Sequence, residues 1–321
     1  MKYIRIDNNV LFFILAYFGF IVFSLVSFGY ASTFEVKGDT LQYFYNFESI
    51  KLDPFPYGFE FVTSGIMWLV NFLGGDFRLF LFVCLFMWSP IVFIVILLSR
   101  RNPMFIFIYL FFLTPIFMSN ALYIVRQYHA ALFFIIFIYV QKGEKKIKIT
   151  SFVLFLFSFC SHLSAILWFF LSRRRVVSLF VKPLYIYIIA FTPFFLLLIN
   201  VNLISVFVDA LIEISNFFGA SDINRKLAFY TTGEYLLAEP IGYQFILISA
   251  IIIILSVYVM LYTAHENTWV FLIFTQSLLL ITLKDNMVIA NRFAFFSYYF
   301  SMPSLLILIS VVLRGIKWRF N

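Results

Sequence analysis

Charge is what this chain has least of. Only 12% of its 321 residues are Asp, Glu, Lys or Arg, while 64% are hydrophobic and the mean hydropathy is +1.01. A soluble domain needs a solvated, charged surface, so that class is excluded and a polytopic α-helical membrane protein is implied. The apolar runs are continuous rather than alternating, which excludes a β-barrel. Cysteine is limited to Cys84 and Cys160, both in apolar segments, so neither a disulfide framework nor a metal-ligand spacing is present. There is no P-loop, no GxGxxG and no HExxH, hence no sequence signal for a nucleotide, a dinucleotide or a catalytic zinc. No cofactor and no metal are expected. The net charge of +8 comes from basic residues in short loops, without the clustered basic and aromatic surface that nucleic acid requires. What the chain does have is Phe, in 48 copies, which reads as compositional bias rather than as a cofactor box.

The apolar runs suggest an all-α fold of about ten membrane segments, some of them short or broken, in a single membrane domain over 1–321. Lys2 and Arg5 place the N-terminus in the cytoplasm, and the basic tail of Arg314, Lys317 and Arg319 places the C-terminus there too. Val10–Tyr30 reads as an uncleaved first span, followed by an outer loop at 31–57. Phe59–Leu73 suits a half-buried helix, and Phe77–Leu98 crosses inward to Arg100-Arg101. Two arms, 104–119 and 121–140, are expected to hinge at Ser119-Asn120. Residues 150–171 are long enough for one span, but that would put Arg173, Arg174 and Arg175 outside. A hairpin turning at Cys160-Ser161-His162-Leu163-Ser164 avoids this, provided its tip lines protein or water. Leu184–Val201, Ile241–Ala264, Trp269–Leu283 and Phe293–Leu313 complete the spans, with a second outer loop at 202–240. This topology puts fifteen of the 23 Lys and Arg inside and twelve of the 15 acids outside.

Within the apolar run Pro103–Val140 lies one polar cluster, Ser119 to Ala130, with Arg126 at its centre. A guanidinium cannot discharge by losing its proton, so at membrane depth it must face water, protein or an anion. Either Arg126 faces an internal cavity and binds an anion, or it snorkels to headgroups from the end of a span. Arg126, Arg225, Lys226 and Arg292 all fall on the expected outer side and suit a phosphate-rich ligand. The plain alternatives are a solvated loop pair for Arg225-Lys226 and headgroup snorkelling for Arg292, read as opening the last span. Asp39 and Glu60 are candidate general bases, or else helix N-terminal caps or helix-dipole partners after nearby glycines. His162, between two serines, is a third base candidate or a neutral hinge residue. His129 shares a helix face with Arg126. Tyr43, Tyr45, Tyr57 and Tyr230 either stack on sugar rings or form an interfacial belt.

Taken in order, Gly38-Asp39-Thr40 with Tyr43, Glu60 before a short helix, Arg126-Gln127 with Ala130, Ser161-His162 with Ser164-Ala165, Arg225-Lys226 with Tyr230, and Asn291-Arg292 resemble the EpsG branch of bacterial Wzy-type polysaccharide polymerases. The resemblance covers most of the chain. It implies a GT-C-like, multi-pass glycosyltransferase of the bacterial inner membrane with its active site facing the periplasm. The implied substrates are undecaprenyl-diphosphate-linked oligosaccharides as donor and acceptor, with the bilayer and a chain-length regulator as further partners. On that reading Asp39, Glu60 or His162 supplies the base, and Arg126, Arg225, Lys226 and Arg292 hold the diphosphate. Tyr43, Gln127 and Tyr230 support the glycan, and no metal takes part. The rival readings are a lipid-linked oligosaccharide flippase, an O-antigen ligase and a sugar O-acyltransferase.

Overall fold

The computed structural model describes residues 8–141, 148–180, 182–198, 213, 240–262 and 268–319. Every regular element among them is a helix. Among the described residues, three stretches are long and apolar enough to cross a bilayer: Asn9–Thr33, Phe77–Ser99 and Tyr243–Tyr262. A fourth results if Met104–Phe112 and Pro115–Tyr123, bent by 54° at their junction, act together. At 1.5 Å per residue the 25-residue Asn9–Thr33 is about 38 Å long, enough for the hydrocarbon layer with some tilt. The described residues are thus all-helical in their regular structure, with several apolar stretches, as a polytopic membrane protein requires. It divides into two compact units, Met1–Phe170 and Leu171–Asn321.

The first unit opens with α1 (Asn8–Thr33), α2 (Asp39–Glu48) and α3 (Phe61–Phe72). α4 (Phe77–Phe86) and α5 (Ser89–Ser99) follow, then α6 (Met104–Phe112) and α7 (Pro115–Tyr123). α8 (Val125–Gln141), α9 (Ile149–Ser161) and α10 (Ala165–Leu171) close it. α1 packs against α4 and α5. Gly19 lies at this contact, where a Cβ would press on the tip of the Ile96 side chain. The far end of α1 is closed by Arg78, whose guanidinium donates to the carbonyls of Ala31, at 3.2 Å, and of Phe34. This arginine answers the unsatisfied carbonyls of a helix C-terminus.

Trp88, fully buried at the α4–α5 joint, anchors the core of the unit. Its ring meets Phe112, Phe117 and Tyr128 at centroid distances of 5.8, 5.3 and 5.8 Å, and so ties α6, α7 and α8 together. The expected hinge at Ser119-Asn120 is not there, since both residues lie inside α7. The chain bends one turn earlier instead. Thr114 Oγ1 accepts from the Phe117 N–H at 3.2 Å, and Pro115 takes the first helical position. A second break falls at Ile124, between α7 and α8.

Residues 149–171 do reverse direction. Ser158 Oγ donates to Ala130 O at 2.7 Å, and Phe133 meets Phe157 and Phe137 meets Phe155, so α9 runs antiparallel to α8. Phe155 on α9 then stacks on Phe169 on α10 with centroids 4.1 Å apart. In one continuous helix those residues would be about 21 Å apart. The turn is His162-Leu163-Ser164, with His162 extended at φ −163° and ψ 140°. Ser164 N–H donates to His162 Nδ1 at 3.2 Å, a local bond that competes with helix continuation.

In the second unit, α11 (Arg174–Phe180) and α12 (Pro183–Leu198) precede α13 (Tyr243–Tyr262) and α14 (Thr268–Thr282). The expected outer loop Lys284–Arg292 holds a helix, α15 (Met287–Phe293), and the expected single span Phe293–Leu313 is broken into α16 (Phe295–Tyr299) and α17 (Ser301–Arg319). The breaks are stitched from α14. Gln276 Oε1 accepts from the Phe296 N–H at 2.7 Å, and the Ser277 and Ser297 hydroxyls pair at 2.6 Å. Apolarity alone could not reveal those breaks, because the residues at them are as hydrophobic as their neighbours.

Candidate active site

The site starts from a turn. Tyr57-Gly58-Phe59-Glu60 is closed by Glu60 N–H donating to Tyr57 O at 3.3 Å, with Gly58 at φ +62°. It delivers a phenol ring and a carboxylate, three residues apart, at the entrance to α3. Glu60 occupies the N-cap position of α3, yet its side chain makes no capping bond, so the cap reading fails. Its carboxylate reaches two other elements instead. Oε2 pairs with Arg126 on α8, and Oε1 accepts from the Leu163 N–H at 3.3 Å. The second bond satisfies a backbone donor freed by the α9–α10 turn.

Arg126 reaches this place through the core. Tyr128 lies two residues on, roughly 200° around the helix, and is packed against Trp88 and Phe117. Fixing Tyr128 inward directs Arg126 the opposite way. The α8–α9 pairing near 130 and 158, carried up one turn, brings the neighbourhood of 126 opposite the 162–164 tip. In the first turn of α8 a cation opposes the helix dipole, and Glu60 offsets that cost. The Glu60 side chain is 9% exposed and that of Arg126 is 32%, so a buried carboxylate holds a guanidinium that solvent still reaches.

The guanidinium lies over the face of the Tyr57 ring, its Cζ 4.4 Å from the centroid. Asn46 Nδ2 donates to the Tyr57 hydroxyl at 2.7 Å, and the buried Tyr43 ring meets Tyr57 edge-on at 5.9 Å. Burial pushes both phenols above their ordinary value; the Arg126 guanidinium draws Tyr43 partly back, and the Asn46 bond does the same for Tyr57. Both therefore stay neutral at physiological pH. Glu60, the Tyr57 ring and the Tyr43 hydroxyl all engage the guanidinium, yet its Nε–H is buried with no acceptor. A buried charged donor without an acceptor is costly, which makes the guanidinium incomplete as it stands.

The structure brings together Glu60, Arg126, Tyr43 and the His162 turn from among the residues singled out in the sequence. Gln127 is buried beside Arg126, with an unpartnered Nε2. His129 is buried and bonded through Nδ1 to Thr63 Oγ1 at 3.1 Å. At His162, Nδ1 must accept from Ser164 N–H, so in the neutral ring the proton sits on Nε2. Asp39 is exposed at the first position of α2, one turn from Tyr43, with Gly38 as the cap. Arg292 is exposed in the last turn of α15, where a cation suits the helix dipole; it does not open the last span. Arg225, Lys226 and Tyr230 lie outside the described residues. Asn46 and the particular service of Tyr57 were not singled out. Their only sequence signals are the Gly58 turn and the spacing of Tyr43 and Asn46 on one face of α2. Among the described residues, no group of three or more His, Cys, Asp and Glu stands together as metal ligands.

Comparison with known proteins gives one clear relation. The model of the EpsG family matches residues 16–320. No curated protein and no solved structure matches the chain. Since the matched region takes in both compact units and nearly the whole sequence, the chain belongs to the EpsG family.

Proposed function

We propose that this chain polymerises glycan repeat units carried on undecaprenyl diphosphate, at the periplasmic face of the bacterial inner membrane. The growing chain is the donor, and the non-reducing end of a fresh lipid-linked repeat is the acceptor. EpsG membership supports a polysaccharide-polymerase-like membrane protein. The observation that carries the finer reading is the incomplete guanidinium of Arg126, held by Tyr57 and Glu60 but with a buried, unpartnered Nε–H. A diphosphate supplies oxygens in the bidentate geometry that an arginine fork accepts.

The acceptor hydroxyl oxygen attacks the anomeric carbon of the donor. A new C–O bond forms while the anomeric bond to the phosphate oxygen breaks, and the diphosphate leaves with the electron pair. Arg126 stabilises the charge that develops on the leaving oxygens. The proton of the attacking hydroxyl passes to a base, and Glu60 is the favoured candidate. As the diphosphate takes up the guanidinium, Glu60 Oε2 loses its partner and becomes available. His162 is less suited, because its Nδ1 is engaged by Ser164 and its Nε2 bears the proton in the neutral ring. Asp39 is the other carboxylate proposed for this step.

The test is a polysaccharide ladder gel from a deletion strain carrying the wild-type chain, Arg126→Ala, or the charge-balanced pair Arg126→Leu with Glu60→Leu. With each protein present in the membrane at the wild-type level, both variants are expected to yield single repeats on the lipid anchor. Long chains from either variant would reject the reading.

A further inference from the structure

We propose that Tyr57, pinned by Asn46, is a positioning residue that sets the plane of the Arg126 guanidinium through its ring face. The inference rests on the diphosphate-binding reading of Arg126 and deepens it. A guanidinium offers two kinds of surface. Its edge carries the N–H donors, and its two faces carry none. Glu60 occupies part of the edge, which is also the surface a diphosphate would use. An edge contact that must be surrendered to the substrate cannot hold orientation through the exchange. The face can, because anions approach in the plane of the donors and leave the ring contact in place.

The geometry around Tyr57 fits this service. The ring centroid lies 4.4 Å from Arg126 Cζ. Its far end is fixed by the 2.7 Å bond from Asn46 Nδ2, and its edge is met by Tyr43 at 5.9 Å. Tyr43 and Asn46 stand three residues apart on α2 and so share one face of it. α2 thus braces the ring from the side and from the end. The Tyr57–Glu60 turn joins the face support and the edge partner in one rigid piece. Rotation of Arg126 out of plane would spoil both oxygen contacts of a bidentate ligand at once.

The experiment uses the full chain in nanodiscs of phosphatidylethanolamine and phosphatidylglycerol, with undecaprenyl diphosphate as the probe. Equilibrium binding is measured for Tyr57→Trp, Tyr57→Phe, Tyr57→Leu, Asn46→Leu and Arg126→Ala. Affinity should be graded by the ring: Trp at least equal to Tyr, Phe weaker, and Leu weakest by roughly 3- to 30-fold, the range of a partly desolvated cation–π contact. Asn46→Leu keeps the ring and removes its pin, so in a separate turnover assay with a lipid-linked repeat its kcat should fall by more than its KM rises. A merely structural tyrosine would lower thermal stability without ordering affinity by aromatic character. If Arg126→Ala loses binding while Tyr57→Leu, or Tyr57→Phe where the leucine variant does not fold, binds as tightly as Tyr57→Trp, this inference falls and the Arg126 reading stands. If Arg126→Ala binds as the wild type does, the diphosphate reading falls and takes this inference with it.

Discussion

Both units break their helices, but they mend the breaks differently. In the second unit the Phe296 N–H is taken by the neutral amide of Gln276, and the Ser277 and Ser297 hydroxyls satisfy each other. In the first unit the Leu163 N–H is taken by a carboxylate, Glu60, which itself needs the Arg126 guanidinium. A neutral amide would have served the backbone equally well. Placing a carboxylate and a guanidinium in a buried setting costs several kcal/mol per ion before their attraction is counted, of order 5 kcal/mol. Both repairs leave a buried donor without an acceptor, Gln276 Nε2 in the second unit and Arg126 Nε in the first, but only in the first is that donor on a charged group, where it costs more. The contrast teaches where to look for chemistry in a chain whose composition gives little help.

Mutation can break the contrast at several strengths. The largest effect is expected at Arg126→Ala, which leaves Glu60 buried without its counter-charge. Loss of one partner of a buried pair costs about 3–5 kcal/mol of stability, measurable by thermal unfolding in detergent, together with loss of long chains on the gel. Replacing both partners by leucine removes the stranded charge but strands the Leu163 N–H, at about 1–3 kcal/mol, so it should recover part of that stability and none of the polymer. If it recovers neither, the pair is structural and the contrast between the units is empty. Next comes Glu60→Gln, which keeps an acceptor for Leu163 N–H and removes the base, so turnover per folded molecule should fall roughly 10²- to 10⁴-fold, while melting falls less than in Arg126→Ala because the guanidinium that loses its counter-charge is still reached by solvent.

Smaller effects are expected in the second unit, where they should touch stability alone. Gln276→Leu strands the Phe296 N–H and should cost about 1–3 kcal/mol while turnover per folded molecule stays normal. Ser277→Ala leaves Ser297 Oγ able to reach Ile273 O at 3.4 Å and should cost no more than about 1 kcal/mol. A drop in turnover per folded molecule at Gln276 comparable to that of Glu60→Gln would erase the distinction.

What could be read in advance follows the range of the forces involved. Long apolar runs declare helices because hydropathy is a property of neighbours, and α1, α4–α5 and α13 fall where those runs lie. The turn at 162–164 was legible because one span over 150–171 would have put Arg173, Arg174 and Arg175 outside; the bond from the Ser164 N–H to His162 Nδ1 is its local counterpart. The bend before α7 had an equally local mark in Thr114-Pro115, but the polar look of Ser119-Asn120 drew the hinge to the wrong place. The break at Ile124 carries no local mark; it lies in a chain held by the rings around Trp88. The link between Glu60 and Arg126 spans 66 positions, beyond anything spacing can show. Arg126 and Glu60 were each visible as charges at an odd depth, but their union was not.

One consequence of the two-handed carboxylate concerns measurement. Its Oε1 is committed to the amide of Leu163 while its Oε2 answers to the guanidinium. Anything that pulls on one hand slackens the other, so the hydrogen-exchange rate of that single amide becomes a gauge of whether the arginine is engaged elsewhere, read without a label on substrate or enzyme.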